Sequence, residues 1–362
     1  MLHNLSPWQA TTVENWLHSK QKCLTLIVKQ SFEYDDNGNV YAMEKSEEIV
    51  MADAMLAEPT TSSLKLANEA VAFKKGFELY GNLTAYPPKA KQAKVIEVYV
   101  ALTQDNNPVF NKTLRVTGER FWQQSLLGKT ASDPKPLKPT ALSYENTYGG
   151  IDPEKSDKMF PENPAGKGFR VKNVKGSLLP KIEYPAHFLK HPKKEIPPAS
   201  YGALPLFWQP RLALLPEIDQ EALMAGEYPY QGKMHESMFN CAPVDQQLNI
   251  NFTEQLTLTL KGVSPNKDYH HLTQIKLPYL PPQVAIINGE EQAFIELTCD
   301  TLVLDADANT FHLLWRKSLE KNNTDKQRIT PYSQIVVQQA KQPNQAVKPL
   351  QQTPQKAQGE VS

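Results

Sequence analysis

The chain has 362 residues, with 39 Lys or Arg against 39 Asp or Glu, so its formal net charge is zero. This balance gives no electrostatic reason to expect nucleic acid or an anionic membrane surface as the main partner. The three cysteines, Cys23, Cys241 and Cys299, lack the spacing of metal ligands and indicate buried thiols in a reducing compartment.

Residues 1–30 contain no basic stretch followed by an apolar run, so the sequence predicts no Sec signal peptide. No apolar run reaches the ~18 residues of a membrane-spanning helix. We therefore expect a cytoplasmic protein that does not enter a membrane. Its 29 prolines against 16 glycines favour short elements joined by ordered loops, because proline interrupts helix interiors and central strands.

β-Hairpins are the strongest local pattern along the chain. The segments 23–43, 94–122 and 293–316 each contain two apolar, alternating runs. In each segment the runs are separated by residues that tolerate a positive φ, such as Asp-Asn-Gly. Two further strands are predicted within 251–263 and 283–290.

Helical signals are few. The segment 11–20 is one predicted helix, and 217–226 is a second, with Asp219 as its N-cap and Gly226 as its stop. No strand–helix–strand alternation occurs, which argues against an α/β enzyme fold. The sequence therefore predicts a mainly β protein with antiparallel, β-sandwich-like sheets, long ordered Pro-rich loops and few short helices.

The composition along the chain predicts four regions. Residues 1–131 form an N-terminal β-rich half, and 236–337 form a C-terminal β-rich half. Between them, 132–235 has little periodicity but many aromatic residues, so we expect an ordered loop-rich region packed over the sheets. Residues 338–362 are rich in Gln, Pro and Lys without an aromatic residue, which is typical of a flexible tail.

The segment 148–169, YGGIDPEKSDKMFPENPAGKGF, is dense in Gly, Pro and Asn. It is not a Walker A phosphate loop, because Gly168 follows Lys167 where Ser or Thr is required. In addition, Pro161 stands where that loop needs its first glycine. We interpret the glycines as positions of positive φ in a turn system and expect Lys167 to matter little.

Other groups of reactive residues give weak signals. His187 and His191 lie four residues apart, but Pro192 ends any helix that would place them on one face. The run 268–271 contains Asp and two His in a polar loop, where adjacent side chains diverge if the segment is extended. Cys241 is interpreted as a small buried residue. We predict no catalytic residue, no metal site and no cofactor, and hence no enzyme.

Two arginines stand near tryptophans: Arg120 precedes Trp122, and Arg211 follows Trp208. A guanidinium on an aromatic face suits a semi-buried site for a carboxylate. An intrachain salt bridge that holds loops together is the favoured alternative to ligand recognition. The polar residues suggested to accompany these arginines at an interaction surface are Asp245 and Gln246.

The segments LSYENTYGG (142–150) and FPENPAGKGF (160–169) together resemble the signature of a domain family known only as one of unknown function. Genes of that family lie beside genes for type VI secretion spikes and their toxic effectors. The residues of this chain that match the signature are Tyr148, Gly149, Gly150, Pro161, Asn163, Pro164, Gly166 and Gly168. Further segments follow in the family's order within residues 1–315: 26–35, 70–88, 114–122, 177–185, 207–211 and 238–247.

The resemblance implies an adaptor or chaperone that binds an effector toxin in the bacterial cytoplasm. Such a protein helps to load the toxin onto the VgrG spike, with or without a PAAR tip. Two alternatives remain: a β-sandwich hydrolase acting on cell-wall or glycan material, with carboxylates or a metal near His187, His191 or His270, and a structural subunit that travels with the spike.

Overall fold

A computed structural model describes residues 1–59, 61–89, 92–126, 128–171, 174–320, 329–330 and 332–339. These residues form 26 strands, three short 3₁₀ helices and one α-helix, so the predicted mainly β fold with few short helices is confirmed. Within the same ranges, none of the helices has the length and apolarity that crossing a membrane would require. The predicted tail lies outside the described residues from position 340 onward.

In chain order, the strands up to residue 131 are β1 (Leu2–Asn4), β2 (Gln9–Trp16), β3 (Lys22–Tyr34), β4 (Val40–Ala42), β5 (Ala54–Met55), β6 (Leu64–Leu66), β7 (Phe77–Asn82), β8 (Thr84–Ala85), β9 (Val95–Gln104), β10 (Asn107–Thr117), β11 (Trp122–Ser125) and β12 (Gly128–Ala131). The loop-rich region contains β13 (Thr140–Ala141), β14 (Tyr148–Gly149), β15 (Ile151–Asp152), β16 (Lys155–Met159), β17 (Lys167–Gly168), β18 (Ile182–Glu183) and α1 (Gln220–Ala225). The later strands are β19 (Gln247–Leu248), β20 (Leu256–Lys261), β21 (Leu272–Lys276), β22 (Gln283–Asn288), β23 (Glu291–Ile295), β24 (Thr298–Asp305), β25 (Thr310–Glu320) and β26 (Gln334–Gln338). The 3₁₀ helices are Tyr144–Asn146, Arg211–Leu214 and Val244–Gln246.

Three sheets form the body of the fold. The largest has seven strands in the order β19-β7-β24-β25-β3-β2, with β4 beside β3, and only its β7–β24 pair is parallel. A five-stranded antiparallel sheet has the order β18-β10-β9-β20-β21, and a four-stranded sheet has the order β1-β26-β22-β23. The seven-stranded sheet takes strands from both the first 131 residues and the residues after 236, so the two β-rich halves interleave.

The predicted hairpins form because turn residues adopt backbone conformations that other residues avoid. Gly38 has φ +81° between β3 and β4, and Asp105 and Asn106 have φ 49° and 64° between β9 and β10. Asn309 has φ 55° before β25. Asn, Asp and Gly accept positive φ at low cost, so the turn fixes the strand register on either side. The hairpins in 23–43, 94–122 and 293–316 are confirmed, as are the strands within 251–263 and 283–290.

One of the two predicted helices is wrong. Residues 9–16 form strand β2, whose Thr12 lies opposite Leu26 of β3. The β-branched side chains of Thr11, Thr12 and Val13 favour an extended backbone, and pairing with a long buried strand outweighs the weak helical pattern. The second helix is confirmed: Asp219 accepts hydrogen bonds from the backbone N–H groups of Glu221 and Ala222, and a left-handed Gly226 ends α1.

A single apolar core joins the three sheets through the inner face of the seven-stranded sheet. On β25 the alternate residues Phe311, Leu313 and Trp315 belong to this core, together with residues of β9, β20 and β22. Because side chains alternate along a strand, the residues between them face the opposite side of the sheet. That opposite face is also buried, and it carries charges.

The outer face of the seven-stranded sheet is covered by chain, and its buried charges have ionic partners either in that covering chain or on a neighbouring strand. Lys29 on β3 donates to both carboxylate oxygens of Glu69, at 2.9 and 3.0 Å. On the neighbouring β25, Arg316 pairs with Asp300 and also donates to the carbonyl of Glu69, at 2.8 Å. On β7, Glu78 pairs with Lys74, and both side chains are almost wholly buried. Burying an ion is costly unless its partner is held beside it, so these pairs fix the covering segment to the sheet.

We predict opposite outcomes for two adjacent lysines. Lys74→Met leaves the Glu78 carboxylate buried without its cation, so the free energy of unfolding should fall by about 3–5 kcal/mol. Lys75→Met removes a surface ion pair with Glu236, in which the two side chains are 55% and 60% exposed. This variant should change the free energy of unfolding by less than about 1 kcal/mol. Urea unfolding followed by tryptophan fluorescence measures both changes. Adding Glu78→Gln to Lys74→Met should recover part of the loss; equal losses for the two lysine variants would contradict the buried-pair interpretation.

Candidate functional site

Asn163 organises the signature segment 148–169. Its Nδ2 lies 2.9 Å from the carbonyl oxygens of Tyr144 and Tyr148 and 2.8 Å from Oγ1 of Thr147. Its carbonyl accepts from the backbone N–H of Gly150 at 2.8 Å. The Asn163 side chain is wholly buried. Through these hydrogen bonds, this one residue joins the turn at 161–165 to residues 144–150. Asn is suited to this role because a single amide offers two donors within a small volume.

Two glycines allow the strands of this segment to approach each other. Gly149 has φ +145°, and a Cβ there would lie 2.1 Å from the carbonyl oxygen of Asn163. A Cβ on Gly166 would lie 2.7 Å from the Cα of Gly149. The result is the short parallel pair β14–β17, in which Gly149 lies opposite Gly168. Gly150 and Gly168 also have positive φ, as expected for a turn system. Gly166 does not, so the expectation is wrong there, and the close approach of Gly149 is what requires a glycine at that position.

The aromatic residues of the segment build a small core of their own. Tyr148 and Phe160 pack edge to face with ring centroids 5.1 Å apart, and Phe169 lies 5.9 Å from Phe160. The buried Trp122 of β11 belongs to the same cluster. Pro164 lies in the turn after Asn163, and the carbonyl of Pro161 accepts from the backbone N–H of Gln209, which joins the signature to the segment 207–211.

Arg120 lies in an intrachain ion pair. Its Nη2 donates to Glu183 at 2.8 Å and to the carbonyl of Pro180 at 2.9 Å, and Arg115 donates to the same Glu183 oxygen at 2.7 Å. The other Glu183 oxygen accepts from the backbone N–H of Leu189 at 2.9 Å. Glu183 therefore fastens the loop region to the edge of the five-stranded sheet. The neighbouring Trp122 is buried and does not face solvent.

Asp245 and Gln246 bind a third cation, Lys112. The Lys112 ammonium donates to Asp245 at 3.0 Å, to Gln246 at 2.6 Å and to the carbonyl of Ser200 at 2.7 Å. Burial lowers the pKa of Lys112 to about 8, and the Asp245 carboxylate opposes that shift. The amide of Gln246 also donates to the carbonyls of Leu79 and Tyr201, so this polar cluster connects β7, β10 and the loop region.

Arg211 differs from the other buried cations. Its side chain is 7% exposed. Arg211 is the first residue of a 3₁₀ helix and lies three residues after the buried Trp208. Nη1 donates to the carbonyl of Leu204, Nε has no hydrogen-bond partner, and within the described part of the chain no carboxylate forms an ion pair with the guanidinium. Trp208 packs edge to face on Tyr144, with ring centroids 5.6 Å apart, rather than on the guanidinium.

Arg211 lines a groove of about 440 Å³, which we call the Arg211 groove. Three segments of the chain line it, residues 75–76, 204–214 and 235–249. Each includes residues by which the sequence resembles the unknown-function family. The lining residues are Lys75, Gly76, Leu204, Pro210, Arg211, Leu214, His235, Ser237, Asn240, Ala242, Val244, Gln247, Leu248 and Asn249. The backbone N–H of Leu204 donates to the carbonyl of Cys241 at 2.8 Å, so two of the segments are hydrogen-bonded to each other.

Glu78 holds the third segment beside them. One of its carboxylate oxygens accepts from the backbone N–H groups of Cys241 and Ala242, at 3.0 and 3.2 Å, and from Nδ2 of Asn240 at 3.1 Å. Burial opposes ionisation of Glu78, but the adjacent Lys74 ammonium and these donors hold its pKa below the usual range. Burial and the nearby Glu78 raise the pKa of the Cys241 thiol to about 12, which agrees with a buried residue of low reactivity.

This geometry depends on four charged residues that the sequence analysis did not predict as site residues: Glu78, Glu183, Lys74 and Lys112. A signal exists for the two glutamates, since each is a charged residue inside a short apolar run, FELYG and KIEYP. A charge in such a position is buried on one face of a strand and requires a partner. The identity of that partner depends on distant chain and is not present in the local pattern.

A second cavity, of about 340 Å³, lies on the outer face of the seven-stranded sheet. It is lined by Lys29, Glu69 and His312, among others. The two charged residues are paired with each other, and His312 Nδ1 lies 2.9 Å from Oγ of Ser31. Burial, together with the nearby Lys29 ammonium, lowers the pKa of His312 to about 3, so the ring is neutral at physiological pH. The two buried charges of this cavity therefore neutralise each other, and its histidine carries none.

The remaining histidines of the sequence analysis are solvent-exposed: His187, His191 and His270. In the portion of the chain that is described, no group of three or more His, Cys, Asp or Glu residues is placed to hold a metal ion.

A family model described as "Uncharacterized protein conserved in bacteria (DUF2169)" matches residues 19–316. The match includes the signature segment and all three segments that line the Arg211 groove. The expected resemblance to a bacterial family of unknown function is confirmed at this level. No curated protein and no solved structure matched the chain.

We predict that Gly149→Val and Gly166→Val each lower the free energy of unfolding by roughly 3 kcal/mol or prevent folding. In both variants the branched side chain would overlap with backbone atoms or with Asn163, since its Cβ would lie closer than van der Waals contact. Lys167→Ala is the matched control, because the Lys167 ammonium makes only a long 3.4 Å contact with Asn146. Thermal unfolding measures all three. Loss of function in Lys167→Ala with the fold intact would contradict a purely structural role for this segment.

Proposed function

This chain belongs to the bacterial family DUF2169, and we propose that it is a cytoplasmic adaptor of a type VI secretion system. In this role it binds a toxic effector in the producing cell and helps to load it onto the VgrG spike, with or without a PAAR protein. The adaptor is not an enzyme and acts through protein–protein contacts alone.

The observation that carries the proposal is the meeting of the resembling segments at one groove. The segments 70–88, 207–211 and 238–247, which lie far apart in the sequence, supply Gly76, Arg211 and Val244 to the Arg211 groove. Motifs that served only to stabilise the core would have no reason to line one accessible depression. Concave surfaces with apolar walls and a few polar groups are the usual places where proteins bind partners.

The surface around the groove favours protein recognition. Leu206, Phe207 and Leu212, on the segment that carries Arg211, are between 37% and 45% exposed, and Val244 is 69% exposed. Exposed apolar residues beside a concave surface with a few polar groups are typical of interfaces. The loops beneath them are held by buried ion pairs, so little conformational freedom is lost when a partner binds, which favours affinity.

We expect the full-length protein, tagged and expressed in its own host, to co-purify with the effector and the spike protein encoded beside it. Deleting its gene should reduce delivery of that effector to neighbouring cells while leaving secretion of other effectors intact. The measurements are mass spectrometry of the purified complex and a competition assay between deletion and wild-type strains. Absence of a complex together with normal effector delivery would contradict the proposal.

Analysis of the secreted material distinguishes the adaptor from a structural subunit that travels with the spike. An adaptor remains in the producing cell, so mass spectrometry of the secreted material should detect the spike and the effector but not this chain. Its recovery with the secreted spike in stoichiometric amount would instead favour the structural subunit.

A further inference from the structure

We propose that the Arg211 groove receives a glutamate side chain, flanked by apolar residues, from a segment of the partner protein. The inference rests on the proposed function only in naming that partner as an effector or spike protein. The groove and its chemistry can be tested without it.

The groove contains an unpaired buried charge, the guanidinium of Arg211. Other buried cations of the described chain have carboxylates beside them: Lys29 binds Glu69, Lys74 binds Glu78, and Arg120 binds Glu183. Arg211 is 7% exposed and has no such carboxylate among the described residues. A guanidinium cannot shed its charge by losing a proton at physiological pH, so its burial without an anion is unfavourable. A ligand carboxylate would supply the missing anion.

The walls of the groove favour an acidic and apolar ligand. Its basic lining residues are Lys75, Arg211 and His235, and none of its described lining residues is acidic. Lys75 is paired with Glu236 at the rim, which leaves Arg211 as the unpaired charge inside. Between these groups lie the apolar side chains of Leu204, Pro210, Leu214, Ala242, Val244 and Leu248. A carboxylate between apolar residues complements both features.

The depth of Arg211 favours a glutamate side chain over the end of a chain. A glutamate carries its carboxylate on a flexible arm, so the partner backbone can remain at the mouth of the groove, where its polar groups stay hydrated. A chain end would bring peptide N–H and C=O groups into the groove, where they need partners. Two of the wall amides are already engaged, since Asn240 donates to Glu78 and Gln247 donates to the carbonyl of Ala242.

The first experiment probes three arrays of immobilised nonapeptides with the full-length protein. The peptides of the first two arrays have blocked ends, and those of the third have one free end. One array has a central Glu with randomised apolar flanks, the second has Gln in its place, and the third has no acidic side chain but a free C-terminal carboxylate. We expect the best Glu peptides to bind at least about tenfold more tightly than their Gln counterparts. Equal binding by the Glu and Gln arrays, or strongest binding by the free carboxylates, would overturn the proposal.

The second experiment compares Arg211→Met with Lys135→Met, which removes an exposed lysine paired with Glu119 on a distant loop. Arg211→Met should lose the preference for Glu over Gln, and its urea unfolding midpoint should be unchanged or higher, because an unpaired buried charge has been removed. Lys135→Met should keep the preference. A clear fall in the unfolding midpoint of Arg211→Met would assign the guanidinium a structural role and overturn the proposal.

Co-purification with the variants distinguishes the two proposals. If wild-type protein captures the effector and Arg211→Met captures it equally well, the glutamate site is wrong while the adaptor function stands. If wild-type protein captures neither the effector nor the spike, the adaptor function fails, and the peptide arrays still decide whether the groove recognises glutamate.

Discussion

Charges removed from water must be paired, and this requirement determines how the long loops of the protein lie on its sheets. The clearest case is Glu78, a wholly buried carboxylate on β7. It takes its cation from Lys74 four residues earlier and its neutral donors from Asn240, Cys241 and Ala242, so chain more than 160 positions away is fixed to the same strand. Glu183 acts similarly between Arg120, Arg115 and the backbone of Leu189. Removing either carboxylate would release a loop and also leave cations unpaired.

The parts of the fold that could be predicted from the sequence are those that depend on short-range interactions. The hairpins around Gly38 and Asn106 depend on short-range features, namely alternating side chains and turn residues, and these are visible locally. Strand β2 was not recognised, because its weak helical pattern is visible locally while the pairing with β3 that outweighs this pattern is not. Tertiary pairing of this kind is absent from any short window of sequence.

Prediction of the candidate site was partial for a related reason. The proximity of Arg211 to Trp208 was visible, and so was the polar character of Asp245 and Gln246. The sequence did not reveal that both of the latter bind Lys112, or that Glu183 binds Arg120, since these contacts join residues tens of positions apart. The proximity to Trp208 singles out Arg211 in the sequence, but its lack of a carboxylate partner among the described residues is a property of the fold. A buried charge that is unpaired inside an otherwise paired set is a feature of the folded chain and not of its sequence.

The interleaving of strands in the largest sheet has a consequence for biosynthesis. Strand β3 has β2 on one side and β25 on the other, with Glu33 opposite Thr310. As the chain emerges from the ribosome, one edge of β3 and its apolar face stay without their partner until nearly all of the sheet has been made. Strand β7 waits likewise for β24. The sheet therefore closes only once β24 and β25 have been made, and until then the nascent chain must be kept from pairing its open edges with other strands in the cell.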